Sequence, residues 1–436
     1  MRRIAVVGSG IAGLAAARAL SAHSRVSLYE AAGRFGGHSH TVEITLDGIR
    51  HGVDTGFLVF NHATYPELTR LFAELDVETA ASEMSFSVQA RDAGLEWSGC
   101  NLDTVFAQRA NLGRPAFWGM LADLLRFNRL ATALARDVPP RHGGALDQPI
   151  GEFLEAHRFS VAFRDWYFLP MIACIWSCPT EQMLRFPMAT LIRFCHNHGL
   201  LQVTGRPPWR TVRGGAGRYV TKMLESVADA RSGTPVRRVR RLANGVEVST
   251  DAGSERFDAL VLACHSDQAL ALLADPSEAE RAVLDAIRYQ PNRAVLHTDT
   301  RVLPRRRKAW AAWNYERSPH AAREQASVCL HYLINRLQPL PFARPVVVSL
   351  NPLSEPAAGS VHADIAYSHP VFDLAAGAAQ ARLPALQGVR NTWFCGAWTG
   401  HGFHEDGLVS GLAVAAQIFA DTSAAPRRPV TESLAA

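Results

Sequence analysis

Residues Ile4-Ala-Val-Val-Gly8-Ser-Gly10-Ile-Ala-Gly13 lead an apolar run straight into a G-x-G-x-x-G turn, and an alanine-rich segment, Leu14 to Ala22, follows at once. A second apolar run, Val26-Ser-Leu-Tyr29, ends at Glu30. The pattern reads as strand, tight turn, helix, strand. Gly8 permits the turn, Gly10 lets the backbone approach a pyrophosphate, and Gly13 lets the helix pack on the sheet. Unpaired N–H groups at the helix start would meet the phosphates with a positive dipole end. Glu30 stands where a carboxylate can accept from ribose hydroxyls, which favours an unphosphorylated ribose and so FAD or NAD. A chain that opens this way is committed to a parallel α/β sheet with a dinucleotide at its edge.

Composition sets the remaining bounds. A length of 436 residues exceeds one ordinary core and suits two intertwined domains. Hydrophobic residues make up 48% and charged residues 19%, which excludes wholesale disorder. No apolar run approaches the ~18 residues that span a bilayer. With a structural motif already under way at Ile4, no signal peptide is expected, and the location expected is cytoplasmic. The net charge is 45 − 40 = +5, with only two lysines, Lys222 and Lys308. Arginine clusters at Arg237, Arg238, Arg240, Arg241 and at Arg305, Arg306, Arg307 read as solvated faces, with at most peripheral membrane contact and no nucleic acid as partner. The seven scattered cysteines suggest buried thiols. Cys174 and Cys178, four apart with Cys195, His196 and His198 further along, likewise read as core, so no metal site is expected.

The next segment separates the cofactors. Ala31-Ala-Gly33-Arg34-Phe-Gly36-Gly37-His38 resembles the G-R-x-G-G extension of the flavin-dependent amine oxidase superfamily, which nicotinamide dehydrogenases lack. Gly52-Val-Asp54-Thr-Gly56-Phe57 is similar to that family's D-x-G turn beside the flavin ring. Val212-Arg-Gly214-Gly215-Ala-Gly217-Arg218-Tyr219 and Thr234-Pro-Val236 match its middle segment. Thr392-Trp-Phe-Cys395-Gly396-Ala-Trp398 followed by Gly400-His-Gly402-Phe403-His404-Glu405-Asp406-Gly407-Leu408 resembles its closing flavin box. The motifs run in the family's order from residue 4 to residue 411. A narrower likeness, carried by Pro170-Met-Ile-Ala-Cys-Ile-Trp176, Arg206-Pro-Pro-Trp209 and Asn335-Arg-Leu-Gln, points to a bacterial subgroup that also resembles the N-terminal flavin region of plant cyclopropane fatty acid synthases.

This resemblance implies non-covalent FAD. Its adenine and phosphate half would be held by Gly8, Gly10, Ile11, Ala12, Gly13, Glu30, Ala31, Arg34 and the backbone of Val236. Gly36, Gly37 and His38 would pass close to the cofactor, and its ribityl and ring side would be held by Gly56, Phe57, Gly396, Glu405, Asp406 and Leu408. It also implies a Rossmann-like α/β flavin domain from residues 1–75, 205–285 and 385–425, intertwined with an α+β substrate domain from 76–204 and 286–384, and a mobile tail at 426–436. Pro139, Pro140, Gly143 and Gly144 mark a loop within a helical stretch. Gly214–Gly217 has no apolar strand leading into it, so a second nucleotide fold is not expected.

The expected reaction is dehydrogenation by hydride transfer to the flavin. Amine oxidases of the family keep a lysine on the strand Tyr289–His297, where this chain has Arg293 and its neighbours. If Arg293 pointed inward, it would repel a cationic amine. Phe403 supplies at most one wall of an aromatic cage. A hydrophobic acyl chain or polyene is therefore the favoured substrate, with an amine as the alternative. Phe403 and His404 are the candidate catalytic residues, and His401 and His404 are candidate proton carriers. A reading of another class is a flavin-bound scaffold without turnover, serving a cyclopropane-synthase-like methyltransferase.

Overall fold

The computed structural model describes residues 1–136, 148–202 and 205–423. The loop expected at Pro139–Gly144 and the tail at 426–436 lie outside these residues. Arg3–Val7, the strand read from the opening motif, is the centre of a five-stranded parallel sheet. Arg25–Tyr29 and then Asp229–Arg231 lie on one side of it, and Ala259–Leu262 and then Thr392–Phe394 on the other. Ile4, Ala5 and Val6 are fully buried, as a parallel strand covered on both faces must be. One face carries the helices Ile11–Ser21, Gly217–Leu224 and His404–Ser423. The other carries the antiparallel meander Val236–Arg241, Val246–Thr250 and Gly253–Phe257.

The first and last helices touch through glycine. A Cβ on Gly411 would stand 2.2 Å from the Ala12 carbonyl oxygen, and one on Gly407 would stand 2.8 Å from Ile11 Cγ2. The helix that opens the chain and the helix that closes it are thereby held at backbone distance, with their N-termini side by side.

A second, seven-stranded mixed sheet takes its strands in the order Val361–Val371, Arg288–His297, Val347–Leu350, Leu330–Leu333, Trp313–Arg317, Phe86–Ala90, Leu95–Ser98. Its apolar face, with Trp97, Tyr315, Leu330 and Tyr332, packs under the helices Pro115–Ala135, Leu169–Trp176 and Met188–Asn197. Helix Leu169–Trp176 stops where Ser177 turns left-handed at φ 53°. Cys174 and Cys178 therefore share no helical face. Among the described residues no helix is long and apolar enough to cross a membrane.

Candidate active site

The carboxyl ends of the parallel strands bring the opening motif, Glu30, the Gly33–His38 loop, Gly396 and the closing helix to one edge. Gly8 turns the chain at φ 102°, and a Cβ on Gly13 would stand 1.9 Å from the Gly8 carbonyl oxygen. Helix Ile11–Ser21 starts at Gly10 with no side-chain cap and no acid in its first turn, and a Cβ on Gly10 would meet open space. An anion-binding helix end needs those features. Gly37 lies across this turn, its would-be Cβ 3.1 Å from Gly10 Cα. Arg34 is half-buried beside it and donates to the Gly37 carbonyl at 2.8 Å.

Glu30 is already engaged. Ser9 donates to its carboxylate from N–H at 3.0 Å and from Oγ at 2.5 Å, while Ala32 N–H donates to the other oxygen at 2.8 Å. The Gly36 N–H donates in turn to the Ser9 carbonyl at 3.0 Å. Ser9, the unremarked x of the fingerprint, is thus the peg joining the two glycine loops to the ribose-side carboxylate. Ala31 is exposed beside Glu30, and Val236 starts the meander close by, with Thr234 N–H on the Glu30 carbonyl at 2.8 Å.

The second glycine turn does different work. A strand, Trp209–Val212, does lead into it, but it pairs with Thr79–Ser82 outside the parallel sheet. The helix end that follows is filled from within: Ala216 N–H donates to both oxygens of buried Asp54, at 2.9 and 3.0 Å. Thr41 and Gln338 donate to the same carboxylate at 2.5 and 2.6 Å. Burial pushes Asp54 up to about 7 despite these bonds. An internal carboxylate occupies the place a phosphate would take.

At the opposite end of the cradle, the closing helix delivers His404. Its ring stacks on Phe57 with centroids 3.8 Å apart, and its Nε2 lies 2.6 Å from the Tyr219 hydroxyl and 3.1 Å from Ser39 Oγ. Ser39 and Tyr219 also bond to each other. Burial lowers His404 to about 3, so the ring is neutral. Asp406 accepts from Phe403 N–H at 2.9 Å and caps its own helix. Glu405 departs from the ring-side position expected of it. Its two oxygens accept from Glu67 and Leu68 N–H at 2.8 and 3.0 Å, capping helix Pro66–Glu74. Leu408 is buried against the first helix, and Gly396 N–H is held by Ser410 Oγ at 3.0 Å. His401 sits 3.8 Å from Asp406 and its carbonyl accepts from Trp176 Nε1, so it braces the turn.

Phe403 has more aromatic company than one wall. Phe194 stacks on it at 4.7 Å, with His198 at 5.9 Å and Trp176 at 6.3 Å. Arg293 does not face inward, so the repulsion of a cationic amine that depended on that orientation does not arise. It lies on the outer side of strand Arg288–His297, paired with Asp364 and Glu355 at 2.7 Å. Strand alternation instead buries Asn292, whose Nδ2 lies 2.8 Å from His369 Nδ1. Lysine is absent here as well: Lys222 donates to the Leu75 and Asp76 carbonyls, and Lys308 pairs with Asp103.

His38 lies between the two halves. Its carbonyl accepts from Phe57 N–H at 2.8 Å, its ring stacks on Tyr367 at 4.8 Å, and its buried Nε2 has no hydrogen-bond partner. Glycine cradle, open helix end and unsatisfied ring nitrogen fit a flavin dinucleotide laid along this edge.

The buried thiols are inert, with burial raising Cys178 and Cys195 to about 12 and Cys174 far above its ordinary value. One cluster with ligand-type atoms, Glu316, Cys329 and His331, brings these atoms within 4.8 Å of one another. Its bonds form a directed chain. Asp299 N–H donates to His297 Nδ1, which places that ring's proton on Nε2, 2.7 Å from Ser349 Oγ. Ser349 then donates to His331 Nδ1, and His331 Nε2 to Glu316, whose other oxygen meets Arg91. The chain ties four strands together through protein partners alone.

Comparison with known proteins agrees with this geometry. The flavin containing amine oxidoreductase family matches residues 11–335. Carotenoid phi-ring synthase from Streptomyces griseus is 30% identical over 296 residues, covering 63% of this chain and 54% of that protein, so the chain spans about half of that relative. Among solved structures, the CLA-producing fatty acid isomerase from P. acnes superposes with a TM-score of 0.68 at 16% identity, over 96% of this chain and 99% of that one. Cyclohexylamine oxidase from Brevibacterium oxydans gives 0.67 at 15%, over 97% and 100%. Those two likenesses show the fold. With a family match across most of its length, the chain belongs to the flavin containing amine oxidoreductases and is an FAD-dependent oxidoreductase.

Proposed function

We propose that the protein dehydrogenates a hydrophobic substrate, an acyl chain or polyene, using non-covalently held FAD. The observation that carries this reading is the composition of the inner wall. Phe403, Phe194 and Trp176 form an apolar aromatic face, and the strand beside it offers Asn292 and no lysine or inward cation. Such a face stabilises buried methylenes by roughly 0.8 kcal/mol each and offers no counter-charge to an ammonium group. Two of the similar proteins, by their names, act on a fatty acid and form a carotenoid ring.

FAD, when bound, supplies the two-electron acceptor. The chain supplies the rest. Gly10 and the helix start hold the diphosphate, Glu30 the ribose, and Phe57, His404 and Tyr219 fix the ring end in a neutral, water-poor setting. Burial raises the thiols of Cys174, Cys178, Cys195, Cys264 and Cys395 and so keeps them uncharged, which supports a non-covalent flavin. A cytoplasmic location and a methyltransferase partner belong to the same reading.

The test is anaerobic mixing of the FAD-loaded protein with unsaturated or methyl-branched acyl lipids, a polyene, and simple mono- and polyamines. Lipid should perturb or bleach the flavin spectrum and amines should leave it unchanged. Rapid bleaching by an amine overturns the reading.

A further inference from the structure

We propose that the outer face of helix Pro115–Ala135, with the turns beside it, docks on an anionic lipid bilayer. The inference rests on the acyl-chain reading and deepens it: a chain still esterified in a membrane lipid must be met at the membrane.

The helix is apolar on both sides. Its inner side buries Phe117, Met120, Phe127 and Ala131. Its outer side carries Trp118, Ala122, Leu125 and Arg129, all exposed and spaced as one helical face. Trp118 Nε1 donates to the Leu112 carbonyl at 2.9 Å, and its ring lies 5.2 Å from Phe106. These contacts bring in exposed Leu112 and the short helix Leu102–Val105 that leads to Phe106. On the other flank Arg126 donates to the His157 carbonyl at 2.7 Å and Ser160 N–H to Asp123 at 2.8 Å, which seats Val161 beside the same helix. Beyond Met1, Leu102 at 78% and Val161 at 64% are the most exposed large apolar side chains among the described residues. Apolar groups standing out together mark a surface that something covers.

The rim of this face is basic. Residues 101–136 hold five arginines and two aspartates. Asp103 is shared by Arg109 and Lys308, and Asp123 is paired with Arg126. Lys308 ends the run Arg305-Arg306-Arg307-Lys308, exposed throughout. Glu96 pins that run from inside, accepting from Arg305 and Arg306 N–H at 3.0 and 3.2 Å and pairing with the Arg306 side chain. The densest basic run of the chain thereby lies beside its most exposed apolar residues.

That combination selects the occupant. Anionic headgroups attract the arginines, while leucine, valine and an amphipathic tryptophan enter the boundary between headgroups and acyl chains. A second copy docked through the same face would set arginine against arginine. The helix also packs on Met188–Asn197, which carries Phe194, so the docking layer is one helix removed from the aromatic wall.

The test is sedimentation of the FAD-loaded full chain with vesicles of phosphatidylcholine, alone or mixed with phosphatidylglycerol. Wild type is expected to bind the mixed vesicles, to bind neutral ones far more weakly, and to be released by salt. Leu102→Ser combined with Trp118→Ser should weaken binding about tenfold or more through lost insertion. Arg129→Glu combined with Arg305→Glu should do the same through reversed charge, and both proteins should keep their FAD. Leu374→Ser, an exposed apolar residue opening helix Leu374–Arg382, should bind like wild type. Equal binding to both vesicle types, or undiminished binding by either double variant, overturns the proposal. So does absence of binding, which would leave an acidic protein as the occupant, or a dimer that either double variant abolishes. Should a variant lose its fold, wild type decides: brominated acyl chains in mixed vesicles must quench its tryptophan fluorescence, and unquenched fluorescence would end the idea. Failure of the acyl-chain reading would appear separately, as vesicle binding intact with no lipid-induced change in the flavin spectrum.

Discussion

The two halves of the cradle are built on opposite principles. The phosphate half is backbone: Gly13 meets the Gly8 carbonyl at a distance no side chain would allow, Gly37 crosses closely over Gly10, Gly10 leaves open space before the helix start, and Ser9 ties the turn to Glu30. The ring half is side chain: Ser39, Phe57, Tyr219, His404, Phe403 and Phe194 come from distant parts of the chain. Backbone geometry fixes a cofactor common to many enzymes, whereas interchangeable side chains set what that cofactor meets.

That contrast can be broken by mutation. The largest effect belongs to Gly13→Val, whose first added carbon falls on the Gly8 carbonyl. We expect at least about a hundredfold loss of FAD affinity, ~2.7 kcal/mol, measured as flavin absorbance retained after gel filtration. A yellow Gly13→Val protein would refute the backbone account. Glu30→Ala removes a charged acceptor worth about 1.5–3 kcal/mol, so FAD affinity should fall tenfold or more. Full occupancy on dilution would show that Ser9 holds the loop alone.

The contrast also explains what could be read without a structure. The phosphate half spans thirty-odd contiguous residues whose spacing is itself the geometry, and the glycine and acid positions in the sequence announce it. The closing helix was legible for the same reason. Arg293 was not, because a strand alternates sides with every residue and the primary sequence does not say which parity faces in. Glu405 misled because a carboxylate at one helix start can serve a neighbouring helix just as well. Tyr219, Ser39 and His404 meet across 180 and 185 residues, and no short pattern marks such a meeting.

A smaller effect separates the halves by acidity. Burial lowers His40, His297 and His369 to about 4 and His404 to about 3. Below the ordinary histidine range the unfolded chain binds protons that the folded chain refuses, so stability should fall as pH drops from about 6.5 toward 4. Asp54, raised to about 7, acts in the opposite sense as one group against several. Thermal unfolding of the apo-protein across that window should show Tm falling with acidity, and a flat profile would mean that the histidines are open to water.

Phe403→Ala should lower lipid affinity by roughly tenfold or less, in line with an aromatic pair worth about 0.5–1.5 kcal/mol, with FAD content unchanged. The smallest effect belongs to Arg293→Gln, a surface change expected within about ±0.5 kcal/mol and silent in any flavin readout. A spectral change there would place that arginine back at the site.

The glycine contact between the first and last helices has a consequence for how the protein is born. The strand Arg3–Val7 and helix Ile11–Ser21 leave the ribosome well before their neighbours in the finished sheet, Ala259–Leu262 and Thr392–Phe394, and helix His404–Ser423 comes later still. At synthesis rates of about 5–20 residues per second, the opening unit waits roughly 12–48 s for Ala259–Leu262 and roughly 20–80 s for the closing helix. During that wait its sheet edges and the apolar side of its helix are uncovered. Flavin capture is thus a late event in biogenesis, and a cell short of FAD would accumulate chains that are complete in sequence but not yet closed.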